Sequence, residues 1–349
     1  MKINLLRSLP KMFLVLLLIA VQACSDDPTP SLPTGSAGYF VLNEGAFGNS
    51  NTSISFYDRA NNTMTNDVFA KKNGRALGDQ AQSVTVFEGK AYIAVQNSGK
   101  VEVINADDFS LIKTISEGIE SPRYFIGINS SKGYVSDWGA DGTTGTVKVI
   151  DLNTNTVTKS ISTGQGSNRI VLKDGLVYVA NDGGYGTDNK ITVIDTSTDA
   201  VSTSITVGAN PNSLLFDGAG NLWVISIGDY MEIPASISRV GTDNKVTTFP
   251  LADITYSYPS LAINNAGDKI YYNYNGGVYA IASNATSLPT TPLINKDFYG
   301  LAVDPITDEI IGADAIDFSS NGKIYVYSAA GTELKSFEVG IAPNGVGFK

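Results

Sequence analysis

The chain of 349 residues contains no histidine and one cysteine, Cys24. Without an imidazole, Ser-His-Asp and Cys-His catalysis, His-ligated zinc and His-ligated haem are excluded by inventory. With one thiol, no disulfide forms within the chain, so closure of the fold must come from packing and hydrogen bonding. Positive charge is scarce too: 24 Lys and Arg stand against 34 Asp and Glu, a formal net charge of −10, and the only Lys-rich run is Lys71-Lys72. Nucleic acid rewards basic stripes, so this balance argues against it as a partner. Beyond the N-terminal segment, no stretch has a sustained helical period.

What the chain does have is a repeat. One phrase recurs seven times: an apolar strand, a short turn, Tyr-Val or its equivalent, a polar loop, a Val-Ile-Asp-like strand and a Thr/Val-rich strand. The copies run from Gln82 to Ser116, Pro122 to Thr163, Asn168 to Val207, Pro211 to Leu251, Pro259 to Ile294 and Phe298 to Val339, with Tyr39 to Ala70 as a partial one. The aromatic landmarks Tyr92, Tyr134, Tyr178, Trp223 and Tyr271 recur at about 40 to 48 residues, the spacing of four-stranded propeller blades. Lys100-Val-Glu-Val-Ile-Asn105 and Lys190-Ile-Thr-Val-Ile-Asp195 alternate apolar and polar residues as half-buried strands do. Gly, Asn and Asp in Phe87-Glu-Gly89 and Lys173-Asp-Gly175 suit hairpin turns. Pro122, Pro211, Pro259 and Pro343 precede apolar runs, where a missing amide donor costs little.

The expected fold is therefore all-β: a seven-bladed β-propeller with four-stranded antiparallel blades over residues 39–349. Tyr39 enters at the second strand of a blade, and Pro343-Asn-Gly-Val-Gly-Phe-Lys349 reads as an inner strand with no blade after it. The C-terminal strand is expected to close blade one and hide sheet edges. Because a propeller distributes its core between blades, a domain of about 310 residues needs no second core.

Residues 1–23 read as a lipoprotein signal peptide, with Lys2, Arg7 and Lys11 before the apolar run Met12 to Val21. Val21-Gln-Ala-Cys24 resembles a bacterial lipobox, which makes Cys24 the expected lipidation site and the membrane contact an acyl anchor. Residues 24–38 follow as a linker. Ser25-Asp-Asp27 resembles the acidic export signal of Bacteroidetes surface lipoproteins, although an ordinary polar linker on a periplasm-facing lipoprotein fits the same residues. Pro28 to Gly35 reads as an extended tether.

The loops between second and third strands carry the functional signal. They hold Glu44 and Phe47 in blade one, Asp137 and Trp138 in blade three, Asp182 and Tyr185 in blade four, and Asp229 and Tyr230 in blade five. Tyr272-Asn-Tyr274 belongs to blade six, and Asp314, Asp317 and Phe318 to blade seven. Equivalent loops emerge on one face, so a ring of aromatics and acids is expected around one mouth of the propeller. Two readings compete: a ligand-binding rim, as loops on rigid scaffolds often are, or plugs folded down between blades. Arg123, Arg169 and Asn212 are read as channel wall. The loops Asp137 to Gly145 and Asp182 to Asp188 offer oxygens to a hard cation but lack the Asp-x-Asp-x-Asp-Gly rhythm, so no metal is expected.

Tyr178-Val-Ala-Asn181 and Val193-Ile-Asp195 are similar to the phrases of YncE-like and surface-layer propellers with YVTN repeats, a match that spans almost the whole chain after the linker. Phe40-Val-Leu-Asn-Glu-Gly45, Asn181-Asp-Gly-Gly-Tyr185, Gly228-Asp-Tyr230 and Asp314 to Phe318 followed by Gly322-Lys323 resemble loops of the BtuG family of surface lipoproteins. That resemblance implies a seven-bladed corrinoid-binding protein that captures cobalamin and delivers it to a TonB-dependent outer-membrane transporter. The loop residues it carries over are Glu44, Asp182, Tyr185, Asp229, Tyr230, Asp314, Asp317 and Phe318. The expectation is a non-enzymatic outer-membrane lipoprotein exposed at the cell surface, needing no cofactor, with cobalamin as bound ligand. A glycan- or protein-binding propeller and a carboxylate- or metal-dependent hydrolase are the alternatives.

Overall fold

The computed structural model describes residues 32–251 and 259–349. The signal-peptide, lipidation and acidic-signal expectations, Cys24 included, lie outside the described residues.

Between residues 38 and 348 the described residues form seven antiparallel sheets arranged as the blades of a β-propeller. Blade two runs outward from the central channel through Ala81–Phe87, Lys90–Val95, Lys100–Asn105 and Leu111–Ile115. Blades three, four and five repeat that order, with inner strands Pro122–Asn129, Ser167–Lys173 and Pro211–Phe216, and blade seven does so from Gly300–Val303. In blade six, strands Leu261–Ile263, Lys269–Tyr274 and Gly277–Ala282 are complete, and a bridge between Val278 and Ile294 takes the fourth position. Tight hairpins join the first two strands of blades two and four at Glu88-Gly89 and Asp174-Gly175, and two strands of blade six at Asn275-Gly276. Both residues of each turn have positive φ, which matches the right-handed twist of the flanking strands.

Blade one is assembled from both ends of the propeller. Gly38–Asn43, Ser53–Asp58 and Thr63–Thr65 are completed on the inner side by Pro343–Phe348, with Tyr39 opposite Phe348 and Val41 opposite Val346. The expected closure is thus present.

The core follows from strand alternation. Gly38–Asn43 is buried along its whole length. Phe40 and Leu42 pack toward blade two with Ala91 and Ile93, whereas Tyr39 and Val41 pack toward blade seven with Ile311 and Val326. Each of the seven blade interfaces holds one such cluster. The aromatic landmarks all face the following blade. Tyr92, for example, stacks on Phe125 of blade three at 3.7 Å between ring centroids. Trp223 is fully buried against Ile270 and Tyr272 of blade six and donates its indole N–H to Asp217 at 2.9 Å. Burying one large apolar side chain this way contributes roughly 1.5–3 kcal/mol. The period read from the sequence is therefore the period of the inter-blade wedges.

Two details depart from the sequence reading. A short helix, Val68–Asn73, links blades one and two; it is too short to display a helical period, and it buries Val68 and Phe69 in the first interface. Tyr274 ends a strand rather than standing in a loop, because the blade-six hairpin needs only Asn275-Gly276. Its ring is 6% exposed in the core between blades five and six.

Deletion of Pro343–Lys349 strips blade one of its inner strand and exposes the edge of Gly38–Asn43. We expect the melting temperature to fall by about 10 °C or more, the equivalent of several kcal/mol for a domain this large. An unchanged melting curve would refute the closure.

Candidate functional site

The mouth of the channel is shaped by irregularities at the start of the inner strands. In blade two Ala81 pairs with Val95 and Ser83 with Ala94, which leaves Gln82 as an extra residue. The same one-residue insertion falls between Pro122 and Phe125, between Ser167 and Ile170, between Pro211 and Ser213, and between Pro343 and Gly345 on the closing strand. Regular alternation would send consecutive side chains to opposite faces, and a bulge suspends that rule and re-aims them. Arg123 and Tyr124 accordingly both line one cavity, as do Asn168 and Arg169.

That cavity has a volume of about 320 Å³ and takes one side chain from the same position of every blade: Gln82, Arg123, Asn168, Asn212, Ser260, Tyr299 and Asn344. Two hydrogen-bonded arcs join them. On one side Glu44, 7% exposed, accepts from Gln82 Nε2 at 2.8 Å, Tyr299 Oη at 2.7 Å and Asn344 Nδ2 at 3.1 Å. On the other, Arg123 Nε donates to Asn168 Oδ1 at 3.2 Å, Asn168 Nδ2 to Asn212 Oδ1 at 3.2 Å, and Asn212 Nδ2 to the Pro259 carbonyl at 2.8 Å. Arg123 also donates to the Gln96 amide oxygen.

Aromatic rings frame the opening. The Arg123 guanidinium lies over Trp138 at 4.1 Å, and Trp138 meets Tyr185 edge-on at 5.8 Å. Gly142 seats Tyr185: it has φ +69°, and a Cβ there would come within 2.3 Å of the Tyr185 ring. Among the described residues, eleven large apolar side chains are exposed. Six of them, Phe47, Tyr185, Met231, Ile233, Ile316 and Phe318, project from the loops between second and third strands on this face. That concentration makes the face an apolar rim rather than an ordinary solvated surface.

Of the sequence-derived candidates, Glu44, Phe47, Trp138 and Tyr185 converge on the cavity, and Phe318 reaches its edge by packing edge-on against Tyr299 at 4.9 Å. Asp182 stands behind Asn168, whose Nδ2 it accepts, and also accepts the Gly184 amide at 3.0 Å. Burial pushes its carboxyl up to about 6, against the opposing pull of Arg123. Asp137 is fully buried and accepts the amides of Glu120, Ser121 and Gly139 at 2.8–3.0 Å, fixing the loop that presents Trp138. Asp229 caps three successive amides, those of Met231, Glu232 and Ile233, which hold it below the usual carboxylate range. Tyr230 follows it at φ 63°, half-buried. Asp317 accepts the Ser319 and Ser320 amides and is likewise depressed, while Asp314 pairs with Lys296 at 3.0 Å. Tyr274 stays in the core.

The sequence reading gave none of Gln80, Gln82, Gln96, Tyr124, Asn168, Ser260, Tyr299 or Asn344 as a site residue, and it left Arg123, Arg169 and Asn212 as plain channel wall. A signal was nonetheless present in Pro122-Arg123, Pro211-Asn212, Pro259-Ser260 and Pro343-Asn344, where a polar residue follows each proline at the mouth. Among the described residues, no group of three or more His, Cys, Asp or Glu comes together to hold a metal ion. The Asp141 carboxylate instead accepts the Thr143 and Thr144 amides of its own turn.

The chain belongs to the family described as Domain of unknown function (DUF5074), which matches residues 37–341. No curated protein matches its sequence. Among solved structures it is similar to a quinoprotein alcohol dehydrogenase-like protein from Bacteroides thetaiotaomicron, with TM-score 0.67 and 16% identity over 90% of this chain and 78% of the other. A functionally unknown protein from Desulfotomaculum acetoxidans aligns with TM-score 0.67 and 12% identity over 90% and 99% of the two chains. Hydrazine synthase of Kuenenia stuttgartiensis aligns with TM-score 0.60 and 16% identity over 75% and 86%. At these identities the likenesses carry the fold.

Asp182 generates a pH dependence. Its folded pKa lies above the unfolded value, so the fold favours the protonated acid. Stability relative to Asp182→Asn should therefore rise as pH falls from 7 toward 4 and be lost again above about 6. Urea unfolding at pH 7 and 4.5 should show a relative gain on the order of 1–3 kcal/mol at the lower pH, and a difference that does not change with pH would refute the assignment.

Proposed function

We propose that this DUF5074 protein is a non-enzymatic binding protein that captures a broad, amide-bearing ligand at the mouth of its channel, the ligand being a corrinoid of the cobalamin class. The observation that carries this reading is the chemistry of the mouth. Six carboxamides, Gln80, Gln82, Gln96, Asn168, Asn212 and Asn344, share one cavity with Phe47, Trp138 and Tyr185. A carboxamide both donates and accepts, so such a ring is complementary to a ligand studded with amides, while aromatic faces cover its apolar surface. The cavity is too small to enclose a corrinoid, and the chain has no imidazole to ligate cobalt. The ligand would therefore be gripped at its periphery and lie across the rim. Glu44, the one carboxylate lining the mouth among the described residues, is engaged by three neutral donors, which favours a positioning role over acid-base work. In this reading the lipid anchor on Cys24 holds the propeller at the outer surface, and a TonB-dependent transporter receives the cargo.

Carbohydrate is the second reading, favoured by the Trp138–Tyr185 pair standing beside carboxamides. Titration of the protein with cyanocobalamin by calorimetry separates the two. We expect one-to-one binding in the micromolar range or tighter, weakened about 5- to 30-fold by Trp138→Ala or Tyr185→Ala as about 1–2 kcal/mol of ring contact is lost. Melting temperatures should be preserved in both variants. No binding at tens of micromolar ligand would sink the corrinoid reading, and binding on a glycan array in its place would establish the other.

A further inference from the structure

We propose that the mouth contains an oxyanion subsite built on Arg169 and Arg123, which takes a phosphodiester or carboxylate group of the captured ligand. The inference rests on the reading of the mouth as a ligand site and adds the charge class of what binds there.

Eight ion pairs occur among the described residues, and neither arginine takes part in any of them. In a chain of net charge −10, cations have an abundance of carboxylates to meet. Two guanidiniums left without one in the same cavity run against that balance. Arg123 reaches a carboxylate only through Asn168, whose amide bridges to Asp182. Glu44, the acid lining the mouth among the described residues, is held by Gln82, Tyr299 and Asn344, all neutral.

Arg169 is the less satisfied of the two. Its guanidinium lies over the Tyr124 ring at 4.9 Å and donates one bond, to Tyr124 Oη at 3.2 Å, while its Nε is buried without an acceptor. The indole Nε1 of Trp138, whose ring packs beneath Arg123, is also buried without an acceptor. A guanidinium offers five N–H donors in a planar fork suited to two oxygens of one group. Donors that stay buried and unpaired are costly, so a site that gathers them is arranged for an acceptor that arrives from outside. Tyr124 and Trp138 pack against the two guanidiniums, leaving for the anion those N–H groups that Tyr124, Asn168 and Gln96 do not engage.

Trp138 provides the readout, since it is one of two tryptophans and the other, Trp223, is buried in the core. The protein is titrated with dimethyl phosphate and with acetate at constant ionic strength while tryptophan emission is followed. A saturable change in the millimolar range is expected for at least one probe, and the probe that saturates identifies phosphodiester or carboxylate as the source. Arg169→Gln should weaken it about tenfold or more, and Arg169→Lys, which keeps the charge but loses the fork, about threefold. Circular dichroism checks that both variants fold, and Arg123→Gln serves if Arg169→Gln does not. No saturable response to either probe, or the same response in Arg169→Gln, overturns the subsite. Cyanocobalamin titrated into the same proteins separates the two proposals. An oxyanion response without cyanocobalamin binding keeps the subsite and removes the corrinoid. Cyanocobalamin affinity that is equal in wild type and Arg169→Gln, with no displacement by dimethyl phosphate, keeps the corrinoid and removes the subsite.

Discussion

Everything at the mouth depends on the pairing of Pro343–Phe348 with Gly38–Asn43. That ladder brings Asn344 within hydrogen-bonding distance of Glu44, three hundred positions earlier in the chain, and places both beside Tyr299 of blade seven and Gln82 of blade two. The seam of the ring and one wall of the cavity are thus the same structure. The Arg59–Asp304 ion pair at 2.7 Å, with Asp304 almost fully buried, secures blade seven to blade one away from the mouth. With no disulfide to share the task, closure depends on backbone pairing, one buried ion pair and the cluster around Tyr39, Val41 and Ile311.

The fold was legible because its determinants are local and periodic. Tyr92, Tyr134, Tyr178, Trp223 and Tyr271 each face the following blade, so the spacing of the landmarks is the spacing of the interfaces. Turn residues were equally readable, since Glu88-Gly89 and Asp174-Gly175 must adopt positive φ whatever surrounds them. The site was legible only in part. Large aromatics in loops, such as Trp138 and Tyr185, stand out because solvent gives them no reason to be there. Asp137, Asp229 and Asp317 look the same in sequence as binding carboxylates, yet Asp229 and Asp317 cap amides of their own turns and Asp137 caps those of Gly139 and of the facing Glu120-Ser121 segment, a distinction that depends on backbone placement. Gln82, Asn168 and Asn344 escaped notice because a polar residue early in a strand is unremarkable until a bulge turns it toward the axis.

The two arcs of the mouth differ in charge. Glu44 sits among neutral donors on one side, and Arg123 and Arg169 are contacted by neutral acceptors and rings on the other, with Asp182 behind Asn168. A field therefore runs across the opening, and in the proposed reading it would orient a ligand as well as hold it. Amide side chains between the poles carry little net charge and contribute directional contacts instead.

The bulges have a consequence for how such a protein can diversify. Each places its ring residue at the top of an inner strand, whereas the wedges that hold neighbouring blades together draw largely on second- and third-strand side chains such as Tyr92, Val103 and Trp223. Away from the blade-one seam, the residues that line the mouth and those that fill the wedges therefore occupy separate positions of the repeat. In the proposed reading, a single substitution at a ring position away from the seam would alter what the opening accepts without loosening the wedges, so ligand preference could change one blade at a time.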